Sequence, residues 1–261
     1  MLHASEISVC LGGTPILQNV SLTARPGALT AIAGPNGSGK TTLLRALTAE
    51  IAAEGRITLD GLPVHPRHAP ALAARRGVLP QATRLAFPFT VAEVVRIGQH
   101  AGRFADRPDL PGRALTHVGL GHMAHRVYQD LSGGEQQRVQ LARVLAQIWA
   151  PVGPDGANWL FLDEPVSSLD IGHQLTVMRL ARDFAARGGG VVAVMHDLNL
   201  TAMFADQVVM IHEGRIAAAG RVDEVITSRI LSRVYDCDLR VNVTPAGDTP
   251  FLLPQSATPV S

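Results

Sequence analysis

The sequence predicts an α/β fold: a mostly parallel sheet, joined to an antiparallel β subdomain and interrupted by an inserted helical subdomain. Three observations predict it. An apolar strand, Ala28 to Ala33, runs into the glycine loop Gly34-Pro35-Asn36-Gly37-Ser38-Gly39-Lys40-Thr41-Thr42 and then into Leu43-Leu44-Arg45-Ala46-Leu47, which has the apolar density of a buried helix. From Trp159 to about Leu200, strand and helix patterns alternate as a parallel sheet requires. Between about Ala82 and Leu145 the pattern is helical and loop-rich, with no convincing strand.

The elements follow in order. Ile7, Val9 and Leu11 alternate in the strand manner, and Ile16 to Leu22 forms a second strand after the turn at Gly12-Gly13; together they predict an antiparallel pair. After the glycine loop and its helix, Arg56 to Gly61 reads as a short hairpin, and Gly77-Val78-Leu79-Pro80 as a strand ending on Gln81. Leu131-Ser132-Gly133-Gly134-Glu135 opens the last helix of the helical stretch. A Pro/Gly-rich loop, Pro151 to Asn158, precedes the strand Trp159-Leu160-Phe161-Leu162, which ends in Asp163-Glu164. A helix from about Gly172 to Arg187, the strand Val191 to Met195, a short helix from Leu198 and a hairpin around His212-Glu213-Gly214 complete the pattern. The expected organisation is one domain over 1–261, with core segments at about 1–81 and 146–240, the helical subdomain at about 82–145, and a flexible tail at 252–261.

Composition narrows the function classes. The 261 residues are 46% hydrophobic and 17% charged, ample for a core. The longest apolar runs are strand-sized, well short of the ~20 residues of a membrane helix. The start, Met1-Leu2-His3-Ala4-Ser5-Glu6, has neither a basic nor an apolar signal region, so a cytosolic location is expected. Cys10 and Cys237 show no metal-ligand spacing and read as buried free thiols. His117, His122 and His125 read as solvated rather than metal-binding, His65 and His68 as a polar loop, and Arg75-Arg76 as a solvated pair. With 23 basic residues against 22 acidic, the net charge of +1 gives no general drive toward nucleic acid, so any anion site is local. All basic residues but one are arginine; the single lysine is Lys40. A compact ammonium is thus kept at one place, in the glycine loop.

That loop fits the phosphate-binding pattern in its required setting, after a buried strand and opening a helix. Glycines let successive N–H groups turn inward around an anion, and the helix N-terminus adds partial positive charge. Lys40 can then bridge the β- and γ-phosphates of a nucleotide while Thr41 ligates Mg²⁺. Asp163 at the end of the second apolar strand is the further candidate metal ligand, and Glu164 the candidate general base.

With these motifs in view, Leu131-Ser132-Gly133-Gly134-Glu135-Gln136-Gln137-Arg138 resembles the signature of the ATP-binding cassette ATPases. The resemblance implies an ABC-type P-loop NTPase core with ATP and Mg²⁺ as ligands. It implies a homodimer in which Ser132, Gly133, Gly134 and Glu135 close on the ATP held by the partner's phosphate loop. It further implies that Gln81 touches Mg²⁺ and faces a transmembrane partner, that Asp170 in Ser168-Leu169-Asp170 lies at the dimer interface, and that His196 senses the γ-phosphate. Five motifs in family order span residues 34 to 196. Family members commonly stack an aromatic ring on adenine from the first strand pair, whereas here the matching position is Leu11.

A single cassette without heptads or a second copy of any motif resembles transport members rather than the soluble ones that serve ribosomes or DNA repair. Gly34 to Lys40, the stretch His196-Asp197-Leu198-Asn199-Leu200 and the overall length resemble cassettes for iron-siderophore, cobalamin and haem uptake. The extended segment Trp149 to Trp159 resembles the haemin-importer branch. The implied setting is the cytoplasmic face of the inner membrane. There a homodimer would sit beneath two permease subunits served by a periplasmic haem-binding protein.

Overall fold

The computed structural model describes residues 1–81, 85, 87–247 and 250–257. Strands β1 (Leu2–Leu11), β2 (Thr14–Ala24), β4 (Glu54–Leu59) and β5 (Leu62–Pro63) form an antiparallel sheet in the order β2-β1-β4-β5. Strands β3 (Leu29–Ala33), β6 (Arg76–Leu79), β9 (Trp159–Asp163), β10 (Gly190–Val194), β11 (Gln207–His212) and β12 (Arg215–Arg221) form the second sheet, ordered β12-β11-β3-β10-β9-β6. It is parallel throughout except at β12, which turns back on β11. The antiparallel subdomain, the parallel core and the helical stretch expected from the sequence are therefore present.

Helix α1 (Lys40–Leu47) follows β3 directly, and α2 (Ala69–Ala73) precedes β6. The helical stretch holds α3 (Val91–Ala101), α4 (Leu110–His117) and α5 (Gly133–Gln147), the last running two residues beyond the expected boundary at 145. Helices α3 and α5 approach closely at two glycines: a Cβ on Gly98 would lie 2.1 Å from the Arg143 carbonyl oxygen, and one on Gly102 would lie 2.0 Å from that of Gln147. Helix α6 (Ile171–Ala186) links β9 to β10, and α7 (Leu198–Phe204) links β10 to β11. After β12 come α8 (Val222–Val225) and α9 (Ser228–Tyr235).

The core strands read as continuous apolar runs because both of their faces are covered. Their two-residue period divides each run between two hydrophobic clusters. Leu160, Leu162, Val191, Ala193, Ala31 and Ala33 pack with the helices on one side. Phe161, Trp159, Val192, Val194 and Ile32 pack with α1 and the antiparallel sheet on the other. Trp159 and Phe161 are fully buried, and the Trp159 ring N–H donates to Asp60 Oδ2 at 3.1 Å. Gly190 on the adjacent strand leaves room for the Trp159 ring, since a Cβ there would lie 2.3 Å from it.

Three expectations need correction. Cys10 and Cys237 are free but exposed. The register of β1 shifts between Ala4 and Ile7, with Glu6 at φ 56°, so the buried positions change from even (Leu2, Ala4) to odd (Ile7, Val9), and Cys10 faces outward. Cys237 follows the left-handed cap Asp236 that ends α9. Arg75 and Arg76 are not a solvated pair: both are half-buried, Arg75 facing Asp155 at 3.6 Å and Arg76 donating to the Thr48 carbonyl at 2.5 Å. The loop from Pro151 to Asn158 contains a small hairpin, β7 (Val152–Gly153) with β8 (Gly156–Ala157), braced by the buried Asn158, whose amide donates to the Ala150 carbonyl. At its tip Asp155 also pairs with Arg103, which lies just beyond α3. His117, His122 and His125 are exposed, as expected, and His117 lies edge-on to Trp149. Of the expected tail, Pro254–Ser256 forms a 3-10 turn and 258–261 lie outside the described residues.

Candidate nucleotide site

The glycine loop leaves β3 and enters α1 through backbone that only glycine adopts easily: Gly34, Gly37 and Gly39 have φ of 144°, 76° and 105°. Space demands the same residue at Gly34, where a Cβ would lie 2.0 Å from the Ile211 carbonyl oxygen. Lys40 opens α1, and its side chain turns back into the loop, donating to the carbonyls of Gly34 (2.9 Å) and Pro35 (2.8 Å). Burial lowers its pKa, and the carboxylates of Glu164 and Asp163 oppose that shift. The Ser38 hydroxyl is buried and has no hydrogen-bond partner among the described residues. An orphaned donor and a neighbouring ammonium, in a glycine loop at the head of a helix, together fit an anion of several oxygens.

Beside the loop, Asp163 ends β9 at 4% exposure, and its Oδ1 accepts from the Thr41 hydroxyl at 3.0 Å. Burial raises the Asp163 pKa, while the Thr41 bond lowers it. A carboxylate and a hydroxyl side by side form an oxygen-only donor set suited to a hard divalent cation. Glu164 follows in left-handed backbone, φ 49°, which turns its carboxylate into the cleft. There Gln81, at the end of β6, donates to Oε2 at 3.0 Å, and His196 Nε2, just past β10, lies 2.5 Å from Oε1.

Gly37, Gly39, Lys40, Thr41, Gln81, Glu164 and His196 thus share one open cleft of about 540 Å³, with Asn36 and Thr42 also in its lining. Ile16 from β2 forms its apolar wall, a residue the sequence reading passed over because nothing local marks it. Leu11, the expected adenine contact, is 43% exposed and does not line this cleft.

Ser132, Gly133, Gly134, Glu135 and Asp170 form a separate group, since none of them lines the cleft. Ser132 caps α5 with a reciprocal bond set: its hydroxyl accepts from the Glu135 amide, and its own amide donates to the Glu135 carboxylate at 2.8 Å. The Ser132 hydroxyl also donates to that carboxylate at 2.8 Å, and this bond, with the one from the Ser132 amide, holds it below its ordinary pKa. Asp170 caps α6 by accepting from the His173 amide at 2.9 Å, and this bond and the His173 ring lower its pKa too. The two caps are neighbours, because a Cβ on Gly134 would lie 3.3 Å from Leu169 Cδ2 and from the Ser168 carbonyl oxygen. Two glutamines brace these loops from inside. Gln136 donates to the Tyr128 and Leu131 carbonyls, and Gln174 to those of Val166 and Leu169.

A strand, a glycine loop and a helix facing an acidic strand end define a P-loop nucleoside triphosphatase. The ABC transporter family model matches residues 17–167, more than half of the chain. The chain belongs to this family, as its ATP-binding component. Among its relatives, a protein of Jannaschia sp. (strain CCS1) is 59% identical over 98% of this chain and 95% of its own length. Another, from Rhizobium meliloti (strain 1021), is 56% identical over 99% of this chain and 100% of its own. Each bears the name haemin import ATP-binding protein HmuV. Among solved structures, an ATP-binding subunit of an ABC transporter superposes with TM-score 0.75 at 20% identity, covering 91% of this chain and 94% of that one. The cbiO1 protein of Clostridium perfringens, part of the ABC transporter complex cbiONQ, superposes with TM-score 0.72 at 26% identity, covering 89% and 92%. Among the described residues no helix is long and apolar enough to cross a membrane.

Proposed function

We propose that this chain is the ATP-hydrolysing, energy-coupling subunit of an importer whose cargo is haemin. The observation that carries the cargo is the near-full-length identity to proteins named for haemin import. In this reading the loop amides and Lys40 hold the β- and γ-phosphates, and Thr41, Asp163 and Gln81 hold Mg²⁺. When bound, Mg²⁺ neutralises charge on the phosphate oxygens. Glu164 takes the proton of the attacking water, and His196 and Gln81 set the plane of its carboxylate.

The signature residues Ser132 to Glu135 line no part of their own chain's cleft, which supports their use on a partner's ATP, with Asp170 beside the junction. The chain then works as a homodimer. Two permease subunits dock near Gln81 and the helical subdomain, which carries Phe87 at 67% exposure, so the protein sits peripherally at the cytoplasmic face of the inner membrane. A periplasmic haem-binding protein meets only the permease.

Reconstitution with the cognate permease in proteoliposomes tests the proposal. Haem-loaded binding protein is expected to stimulate ATP hydrolysis, and deletion of the gene to abolish growth on haemin, but not on a ferric siderophore, as sole iron source. Stimulation by a ferric siderophore or cobalamin complex instead would overturn the cargo and leave the importer role standing. No ATP hydrolysis under any condition would overturn the role itself.

A further inference from the structure

The hairpin between β11 and β12 turns at His212-Glu213-Gly214, beyond the residues the family model matches, and its tip is built into the phosphate loop. The Gly214 amide donates to the Ser38 carbonyl at 3.1 Å, and the Gly214 carbonyl accepts from the Gln18 amide at 2.9 Å. Arg215 adds a side-chain tie to the same strand, donating to Gln18 Oε1 at 2.5 Å. Strand β2 closes the circle, since a Cβ on Gly39 would lie 2.8 Å from Leu17 Cδ2 and 3.2 Å from the Ile16 carbonyl oxygen. Contacts thus run in a ring from Gly214 to Ser38 and Gly39, across to Ile16 and Leu17, and back through Gln18.

Two consequences follow from elementary geometry. The Ser38–Gly39 peptide is planar and trans, so its C=O and N–H point in opposite directions. Fixing the Ser38 oxygen on the hairpin side therefore fixes where the Gly39 N–H points, and that N–H is among the donors at the head of α1. Gly214 also has φ of 72°, and a Cβ there would lie 2.3 Å from the Ile16 carbonyl oxygen. Any side chain at this position would push β2, with the Ile16 wall of the cleft, away from the loop.

We propose that Gly214 is a positioning residue for nucleotide binding. It orients the Ser38–Gly39 peptide toward the phosphates and holds the Ile16 wall at its distance from the loop. The inference rests on the ATP-binding reading of the cleft, and the experiment separates the two. Calorimetric titration with Mg-ATP and with inorganic pyrophosphate, alongside steady-state ATPase kinetics, is run on the unaltered protein, Gly214→Ala, Arg215→Ala and, as a control on the same turn, the exposed Glu213→Ala.

Gly214→Ala is expected to weaken both Mg-ATP and pyrophosphate binding about tenfold. Its KM should rise with them, kcat at saturating ATP should stay within about twofold, and Tm should fall by a few degrees, because the side chain strains this backbone, with the chain still folded. Arg215→Ala, which removes only the surface tie to Gln18, is expected to weaken pyrophosphate about threefold, the scale of one hydrogen bond. Glu213→Ala should change neither. Folded Gly214→Ala with unchanged pyrophosphate affinity overturns the proposal. If that variant does not fold, unchanged affinity in Arg215→Ala overturns it instead. An unaltered protein that binds no Mg-ATP overturns the reading of the cleft.

Discussion

His196 Nε2 lies 2.5 Å from Glu164 Oε1, while Gln81 donates to the other carboxylate oxygen at 3.0 Å, so three core strands converge on one carboxylate. Glu164 follows β9, His196 follows β10 and Gln81 follows β6. A carboxylate gripped at both oxygens has a defined plane, as a general base needs.

Replacing Glu164 by Gln keeps this shape and removes the proposed proton acceptor. Hydrolysis is expected to fall at least ~100-fold, the scale of a lost general base, with ATP binding retained. Size-exclusion chromatography with Mg-ATP should show the variant accumulating as a dimer. A monomeric variant that turns over at the unaltered rate would end this assignment.

Asp163 predicts opposite effects on stability and activity. Burial raises its pKa, so the native chain holds this proton more tightly than the unfolded chain does. Stability from this group is therefore present at low pH and declines as pH rises through the folded pKa. Asp163→Asn in metal-free buffer near neutral pH should raise Tm, while abolishing ATPase activity. A lowered Tm in calorimetry would contradict the burial argument.

The second grip is tested at Ser132. Ser132→Arg adds bulk at the head of α5, outside the chain's own cleft, and should leave ATP binding by the isolated subunit within about twofold while eliminating turnover. A mixed dimer of Ser132→Arg and Lys40→Ala chains retains at most one intact composite site. Full turnover in a pure Ser132→Arg dimer would rule out sharing between chains.

Phe161 tests the core beneath the site. It is fully buried and stacks on Trp159, with ring centres 6.4 Å apart. Phe161→Ala should cost about 3–5 kcal/mol in chemical denaturation. A loss below about 1 kcal/mol would mean that the two sheets close around the gap.

The phosphate loop, the acidic strand end and the strand before Gln81 were legible because each is local: residue type and spacing specify its backbone. The antiparallel pair at the start was legible as strands, but the register shift at Glu6 was not, and that one step reversed the exposure of Cys10. Arg76 misled for a related reason, since its partner is the carbonyl of Thr48, at the distant end of α1. The contact of Gly134 with Leu169, the wall at Ile16 and the seat of Gly214 beside Ser38 all join segments far apart in sequence. No periodicity or motif encodes such pairings; they arise when the two sheets and α1 pack.

The lone lysine carries a consequence for chemistry done on this protein. Apart from the chain's own amino terminus, Lys40 is the only primary amine in the sequence, and it stands 5% exposed inside the phosphate loop with its basicity reduced by burial. Acylating reagents therefore have two addresses, one of them at the nucleotide cleft. With ATP seated as proposed, shielding of Lys40 is expected to report its occupancy by peptide mass mapping. By the same arithmetic, amine-to-amine cross-linkers have almost nothing to join between two copies, so the assembly of this subunit has to be traced through carboxylates or its two exposed thiols.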